Sequence, residues 1–158
     1  MKQYKNVGLG GTFDRLHRGH KLFLDIAAYY GQCVHVGLIN SSYLKKNKKK
    51  HFKMIQSFQF RKKKVENHLL SRNTHILIST INDLGMDQKL ASEADLSALV
   101  VSQETFSGAN AINRFRIKHG KSKLTIVVIP RVIRTDGTVE SSTKLRMEEK
   151  ERSTNSTL

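Results

Sequence analysis

Proline and cysteine are nearly absent from this 158-residue chain, with one of each, and tryptophan is missing altogether. The lone cysteine, Cys33, excludes an internal disulfide and suits a reducing, cytoplasmic setting. No histidine or acid forms a recognisable pattern around it, so it reads as a small packing residue and not as a nucleophile. No stretch of eighteen apolar residues exists and the start of the chain lacks a signal-like apolar run, so neither a spanning helix nor an export signal is expected. Acidic residues are also scarce: 13 stand against 28 Lys and Arg, for a net charge of +15. Ten of the basic residues fall between Lys45 and Lys64, with no Asp or Glu among them. Such a block is either plain solvated surface or a loop facing polyanionic small molecules. Interleaved Phe52, Phe58 and Phe60 also raise an RNA-binding module as a reading from a different class. Nucleic acid is disfavoured as a partner, because helical periodicity accounts for Phe58 as core.

What is present is a regular alternation of strand-like and helix-like segments. Tyr4–Leu9 reads as a strand, and the helical pattern Gly19–Tyr30 has Gly31 as its expected C-cap. Cys33–Ile39 is a second strand, and Phe58–Leu70 a helix beyond the lysine block. Thr74–Ile81, Leu99–Val101 and Leu124–Ile129 complete five strands, with Gly108–His119 helical between the last two and Gly120 as its stop. Ser141 is the expected N-cap of a terminal helix, and residues 150–158 are expected to form a polar, disordered tail. The predicted fold class is α/β: a single Rossmann-like, doubly wound domain over residues 1–149 with a five-stranded parallel sheet. Ligands of such sheets bind beyond the carboxyl ends of the strands, where the strand order switches.

The densest chemistry lies at the first such end, Gly10-Gly11-Thr12-Phe13-Asp14-Arg15-Leu16-His17-Arg18-Gly19-His20. Glycines there allow close backbone approach, and the unpaired N–H groups of a starting helix attract anions, phosphate above all. Thr12, His17 and His20 make it a site for a reacting phosphate. A dinucleotide fingerprint fails because Phe13 stands where its third glycine belongs, and no P-loop lysine follows a strand. A metal site on Asp14, His17 and His20 lacks a fourth partner. The other five histidines, His35, His51, His68, His75 and His119, read as ordinary surface or packed residues.

The Gly-Gly-Thr-Phe-Asp-x-x-His-x-Gly-His pattern resembles the nucleotidyltransferase superfamily, whose second element matches Ser141-Ser142-Thr143-Lys144-Leu145-Arg146. Within it the chain is most similar to phosphopantetheine adenylyltransferases of archaeal and eukaryotic type. Further likeness lies in Gly37-Leu38 with Lys45, in Phe58-Gln59-Phe60-Arg61, and in Val100 to Thr105 with Gly108, Asn113 and Arg116. It departs at Asn40-Ser41-Ser42, Gln103 and Glu140. The resemblance implies transfer of AMP from ATP to 4′-phosphopantetheine, giving dephospho-coenzyme A and pyrophosphate. The alternative is another phosphate acceptor, glycerol phosphate or nicotinamide mononucleotide. It implies Thr12, His17, His20, Lys45 and Arg116 as catalytic residues. ATP would meet Gly10, Gly11, Thr12, Phe13, His17, His20, Glu104, Arg116, Ser141, Ser142, Thr143 and Arg146, and the acceptor Thr12, Asp14, Lys45 and Lys48. Protonation of His17 and His20 near neutral pH is expected from bound phosphate. Magnesium is expected to arrive on ATP with no ligand from the protein.

Overall fold

A computed structural model describes residues 2–47, 49, 51–82, 91 and 95–155. Five strands form one all-parallel sheet: β1 (Tyr4–Gly11), β2 (Gly31–Ile39), β3 (His75–Ile81), β4 (Ala98–Ser102) and β5 (Thr125–Ile129). Their order across the sheet is β3-β2-β1-β4-β5, so β1 is central and the direction of winding reverses between β1 and β4. Five α-helices accompany them among the described residues: α1 (Arg18–Tyr30), α2 (Ser41–Lys46), α3 (Phe58–Leu70), α4 (Phe106–Lys118) and α5 (Ser142–Asn155). None of them is long and apolar enough to cross a membrane. The α/β doubly wound sheet predicted from the alternation is the observed one.

Each face of the sheet has its own core. Val7, Leu9, Val34, Val36 and Leu38 pack against Leu24, Ala27 and Ala28 of α1 and Val65 and Leu69 of α3. On the other face Leu99 and Val101 meet Ala109 and Ile112 of α4. The register explains this segregation, since Val7 pairs with Val34 and Leu9 with Val36, while Gly8 pairs with His35 and Gly10 with Gly37. One face of the central strands is therefore bulky and the other hollow. The β1–β4 ladder carries only Val7↔Ala98 and Gly8↔Leu99, so beyond Gly8 the two strands part and leave a crevice at their carboxyl ends.

Gly31 is the C-cap of α1 as expected, its N–H bonding the Ala27 carbonyl, and with φ of −101° and ψ of 135° it already belongs to β2. A side chain there would meet Val7 Cγ2 at 2.8 Å and the Ala27 carbonyl at 3.0 Å, so glycine is required by close packing. The tail expected from residue 150 onward is helical as far as Asn155, with Ser153 and Thr154 hydroxyls donating back to the carbonyls of Glu149 and Lys150. By contrast Gly120, at φ +69°, ends α4 as expected.

Candidate active site at the parting of β1 and β4

The crevice is lined by the first motif, the start of α1, the segment after β5 and the start of α5. Gly10, Gly11, Thr12, Phe13, Asp14, His17, His20, Glu104, Ser141, Ser142, Thr143 and Arg146 of the expected set all line one cavity of about 330 Å³. The loop leaving β1 is tightly wound: Phe13 and Arg15 both adopt left-handed backbone, at φ 51° and 50°. Such strain in non-glycine residues persists only where surroundings over-determine it. Here Phe13 is buried against His20 and Phe23, with ring centroids at 5.3 and 6.1 Å. Its ring is core, and it is the neighbouring backbone that faces the cavity.

His17 is the N-cap of α1 with extended backbone and no side-chain cap hydrogen bond, and no acidic residue occupies the first turn. The starting N–H groups of α1 are thus left for an anion. The imidazoles of His17 and His20 stack with centroids 3.9 Å apart, and the Nδ1 atom of each is buried without a hydrogen-bond partner. Burial holds both rings below the ordinary histidine value, His20 at about 3, where the charge of His17 itself and of Lys49 adds to the effect. Both rings on their own are therefore neutral near pH 7, and the imidazolium expected with phosphate depends on the bound anion. A neutral ring still offers one N–H donor to a phosphate oxygen, and it does so without burying a charge.

The basic block contributes a different lysine from the one expected. Lys45, in the last turn of α2, is exposed and lines no part of the cavity. Lys49 lines it, and its Nζ donates to Thr12 Oγ1 at 3.0 Å. Burial and the guanidinium of Arg146 hold this ammonium below the usual lysine value. Lys48 lies outside the described residues. Arg116 is also corrected: it lies in the last turn of α4, buried, with its guanidinium donating to the carbonyls of Ser122 and Ala91. Helices of parallel sheets run back from the carboxyl edge, so the end of α4 is on the wrong side of the sheet for phosphate contact.

Asp14 and Arg146 turn towards each other more than towards the cavity. The fully buried Asp14 carboxylate accepts from Arg146 Nη1 at 2.5 Å, from Arg15 Nη1 at 2.9 Å and from the Gln56 amide at 3.0 Å. Arg146 also donates to Thr143 Oγ1, and Ser142 Oγ donates to the Asp14 carbonyl at 2.7 Å. Ser141 caps α5, its Oγ accepting from the Lys144 amide. Asp14 is therefore a hub that fixes the second motif against the first. Arg61, which the sequence offered only as part of the family-like Phe58-Gln59-Phe60-Arg61 segment with no assigned role, is fully buried in the first turn of α3. It donates to the carbonyls of Thr12 at 2.6 Å, Ile39 at 3.0 Å and Gln56 at 3.0 Å, tying the ends of β1 and β2 together. A third cation, Arg131, lines the cavity beside Pro130 and pairs with Glu104 at 2.7 Å across the crevice. Opposite, Arg18 holds Glu140 at 3.2 Å.

A second cavity, of about 410 Å³, adjoins the first and shares Gly10, Phe23 and Glu104 with it. It occupies the hollow face of the sheet between Gly8, His35, Gly37 and Leu99 on the floor and Gly108, Ala109 and Ile112 of α4 above. Its walls are largely apolar, and no sequence pattern pointed to it.

Central β1, strands parting at the switch point, paired histidines at a helix start and a serine-rich helix start facing them define a nucleotidyltransferase-type α/β site. Residues 9–154 match the cytidylyltransferase-like family. The chain is 36% identical over 148 residues to the phosphopantetheine adenylyltransferase of Pyrococcus horikoshii, covering 92% of this chain and 90% of that one. It is 32% identical to the enzyme of the same name from Methanopyrus kandleri, over 94% and 92% of the two chains. The chain belongs to the phosphopantetheine adenylyltransferase family. A solved structure of a protein with unknown function from Archaeoglobus fulgidus superposes with a TM-score of 0.66 at 30% identity, over 82% of this chain and 90% of that one. Pantothenate synthetase from Thermus thermophilus shares the fold at 14% identity, with a TM-score of 0.62 over 88% of this chain and 60% of the other.

Proposed function

We propose that this chain transfers the adenylyl group of ATP to 4′-phosphopantetheine, releasing pyrophosphate and forming dephospho-coenzyme A. The observation that carries the reading is the pair of adjoining cavities, one cationic and imidazole-rich, the other apolar, meeting at Gly10. A phosphate at the end of a long, weakly polar arm suits that join, and a nucleoside triphosphate suits the first cavity. Archaeal relatives that bear the name of this activity support the same assignment.

The chemistry needs no protein base, because the nucleophile is a phosphate oxygen already ionised at neutral pH. It attacks the α-phosphorus of ATP; the new P–O bond forms as the bond to pyrophosphate breaks. Catalysis then consists of holding two polyanions in line and stabilising charge as it moves to the leaving group. Thr12 and Lys49 hold the acceptor phosphate, with the ammonium as the point charge between the two substrates. The start of α1, His17 and His20 take the triphosphate on one side, and the start of α5 takes it on the other. Arg131, only loosely held by exposed Glu104, is free to exchange its partner for a phosphate. Arg61, Asp14 and Arg146 position these groups through backbone and side-chain bonds without touching substrate.

Magnesium fits as a companion of the triphosphate. The carboxylates that line the cavity, Asp14, Glu104 and Glu140, are each engaged by arginine, and no group of three or more His, Cys, Asp or Glu gathers among the described residues. The ion would supply neutralisation of the departing pyrophosphate. We place the reaction in the cytoplasm, which a single unpaired cysteine suits. The test is pyrophosphate release from ATP with 4′-phosphopantetheine, glycerol 3-phosphate or nicotinamide mononucleotide as acceptor. Turnover with the first alone is expected; turnover only with another acceptor overturns the assignment.

A further inference from the structure

The apolar cavity has an imidazole on its floor that the chemistry above does not use. His35 lies on β2, half-buried, opposite Gly8 in the register and two residues below Gly37. Its hydrogen-bonding state is fixed by Asn6, two residues before Gly8 on β1 and so on the same face of the sheet. Asn6 Nδ2 donates to the Asp95 carbonyl at 2.7 Å, which settles the orientation of the Asn6 amide and leaves its Oδ1 facing His35. His35 Nε2 lies 3.2 Å from that oxygen, so Nε2 must carry the proton. In the neutral ring Nδ1 is then a hydrogen-bond acceptor, and it is the ring nitrogen left to the cavity. Burial favours this neutral form.

Distance along the strand sets what can reach it. The Gly8–His35 level lies four residues from Thr12, roughly 13 Å of extended chain. An acceptor whose phosphate is held at Thr12 reaches His35 only if it carries a long arm with a hydrogen-bond donor well down its length. Glycerol phosphate is too short. The arm of 4′-phosphopantetheine offers amide N–H groups and a terminal thiol. We propose that His35 is a specificity-determining residue for the acceptor, its Nδ1 accepting a hydrogen bond from an N–H or S–H donor on the arm. The proposal rests on the acceptor assignment above.

Substitution tests it against a purely structural role. His35→Leu should raise KM for 4′-phosphopantetheine about three- to tenfold, the worth of one neutral hydrogen bond. Its kcat and KM for ATP should stay within about twofold. His35→Gln, which restores an acceptor oxygen, should recover most of the loss; equal losses in the two variants would mean that the ring only packs. The S-methylated acceptor and 4′-phosphopantothenate, which lacks the second amide and the thiol, separate the two donors. Should either variant fail to fold, the wild-type protein labelled with 15N-histidine gives the same answer. The Nδ1 resonance of His35 should shift when the acceptor binds. A resonance unmoved at saturation, with whichever phosphorylated acceptor the enzyme turns over, overturns the proposal. A shift with 4′-phosphopantetheine but no turnover sinks the adenylyltransferase reading and leaves His35 as an arm-binding residue.

Discussion

Arg146 and Asp14 stand 132 residues apart in sequence and 2.5 Å apart in the fold, both fully buried. Removing the charge of one leaves the other buried and uncompensated, a loss typically of about 3–5 kcal/mol. Asp14→Asn should therefore lower stability by about 3 kcal/mol or more in urea unfolding. Arg146→Lys keeps the charge but loses the fork shared by Asp14 and Thr143. It is expected to cost at least about tenfold in kcat/KM for ATP, roughly 1.4 kcal/mol. Undiminished catalysis in that variant would detach the second motif from the site.

Lys49 and Lys45 are four residues apart, and only one reaches Thr12. Lys49→Ala should reduce kcat by about 10²-fold, as expected for losing a preorganised charge-stabilising donor. Lys45→Ala, on the exposed side of α2, should stay within about twofold of the parent in the same steady-state assay. The reverse ranking would restore the lysine expected from the sequence.

His20 provides a pH signature of folding. Its folded value of about 3 lies below the ordinary 6.5, so between those values the unfolded chain binds a proton that the folded protein refuses. The contribution of the neutral ring to stability is whole above about pH 6.5. Below that it is lost at about 1.4 kcal/mol per pH unit until the folded ring itself titrates. Urea unfolding of the parent and of His20→Leu at several pH values from about 7 to 5 isolates the effect, since His17 and His35 shift in the same direction in both. Parallel pH profiles would show that the folded ring takes up its proton as readily as the unfolded one, and so is not held neutral by burial.

The remaining basic residues act at a distance. Lys45, Lys46, Lys53, Lys63 and Lys64 are exposed. Raising ionic strength at fixed magnesium should lower kcat/KM while leaving kcat nearly unchanged, because exposed charges are screened beyond about 8–10 Å at 0.1–0.15 M salt. A flat kcat/KM would reduce these lysines to plain surface.

The sheet was legible because the alternation of strand-like and helix-like segments is a local signal, and the first motif because its residues are contiguous. The predicted Phe58–Leu70 helix coincides with α3 residue for residue. Legibility ended where the choice lay among identical side chains: nothing local separates Lys49 from Lys45 until the chain between α2 and α3 is folded. Short α2 was missed although Asn40, whose side chain caps it, is a visible N-cap type. Arg116 was misplaced by its likeness to a family position, yet a directional rule was available. Ten residues into a helix that starts at the carboxyl edge is about 15 Å back across the sheet. The same rule favours Arg61, in the first turn of α3. The apolar cavity left no contiguous trace, since alternate residues of several strands build its floor.

The helix at 142–155 gives the site an order of assembly. A ribosome that has finished residue 130 has made all five strands and the histidine-bearing loop, yet Asp14 has only Arg15 and still lacks Arg146, and the crevice lacks one wall. Fragments ending before Ser141 contain the motif that meets the nucleotide first, braced by Arg15 and Arg61, but none of the residues of α5 that clamp it. A peptide spanning α5, added in trans to such a fragment, supplies Ser142 and Arg146 together, so activity would return with the concentration of the peptide.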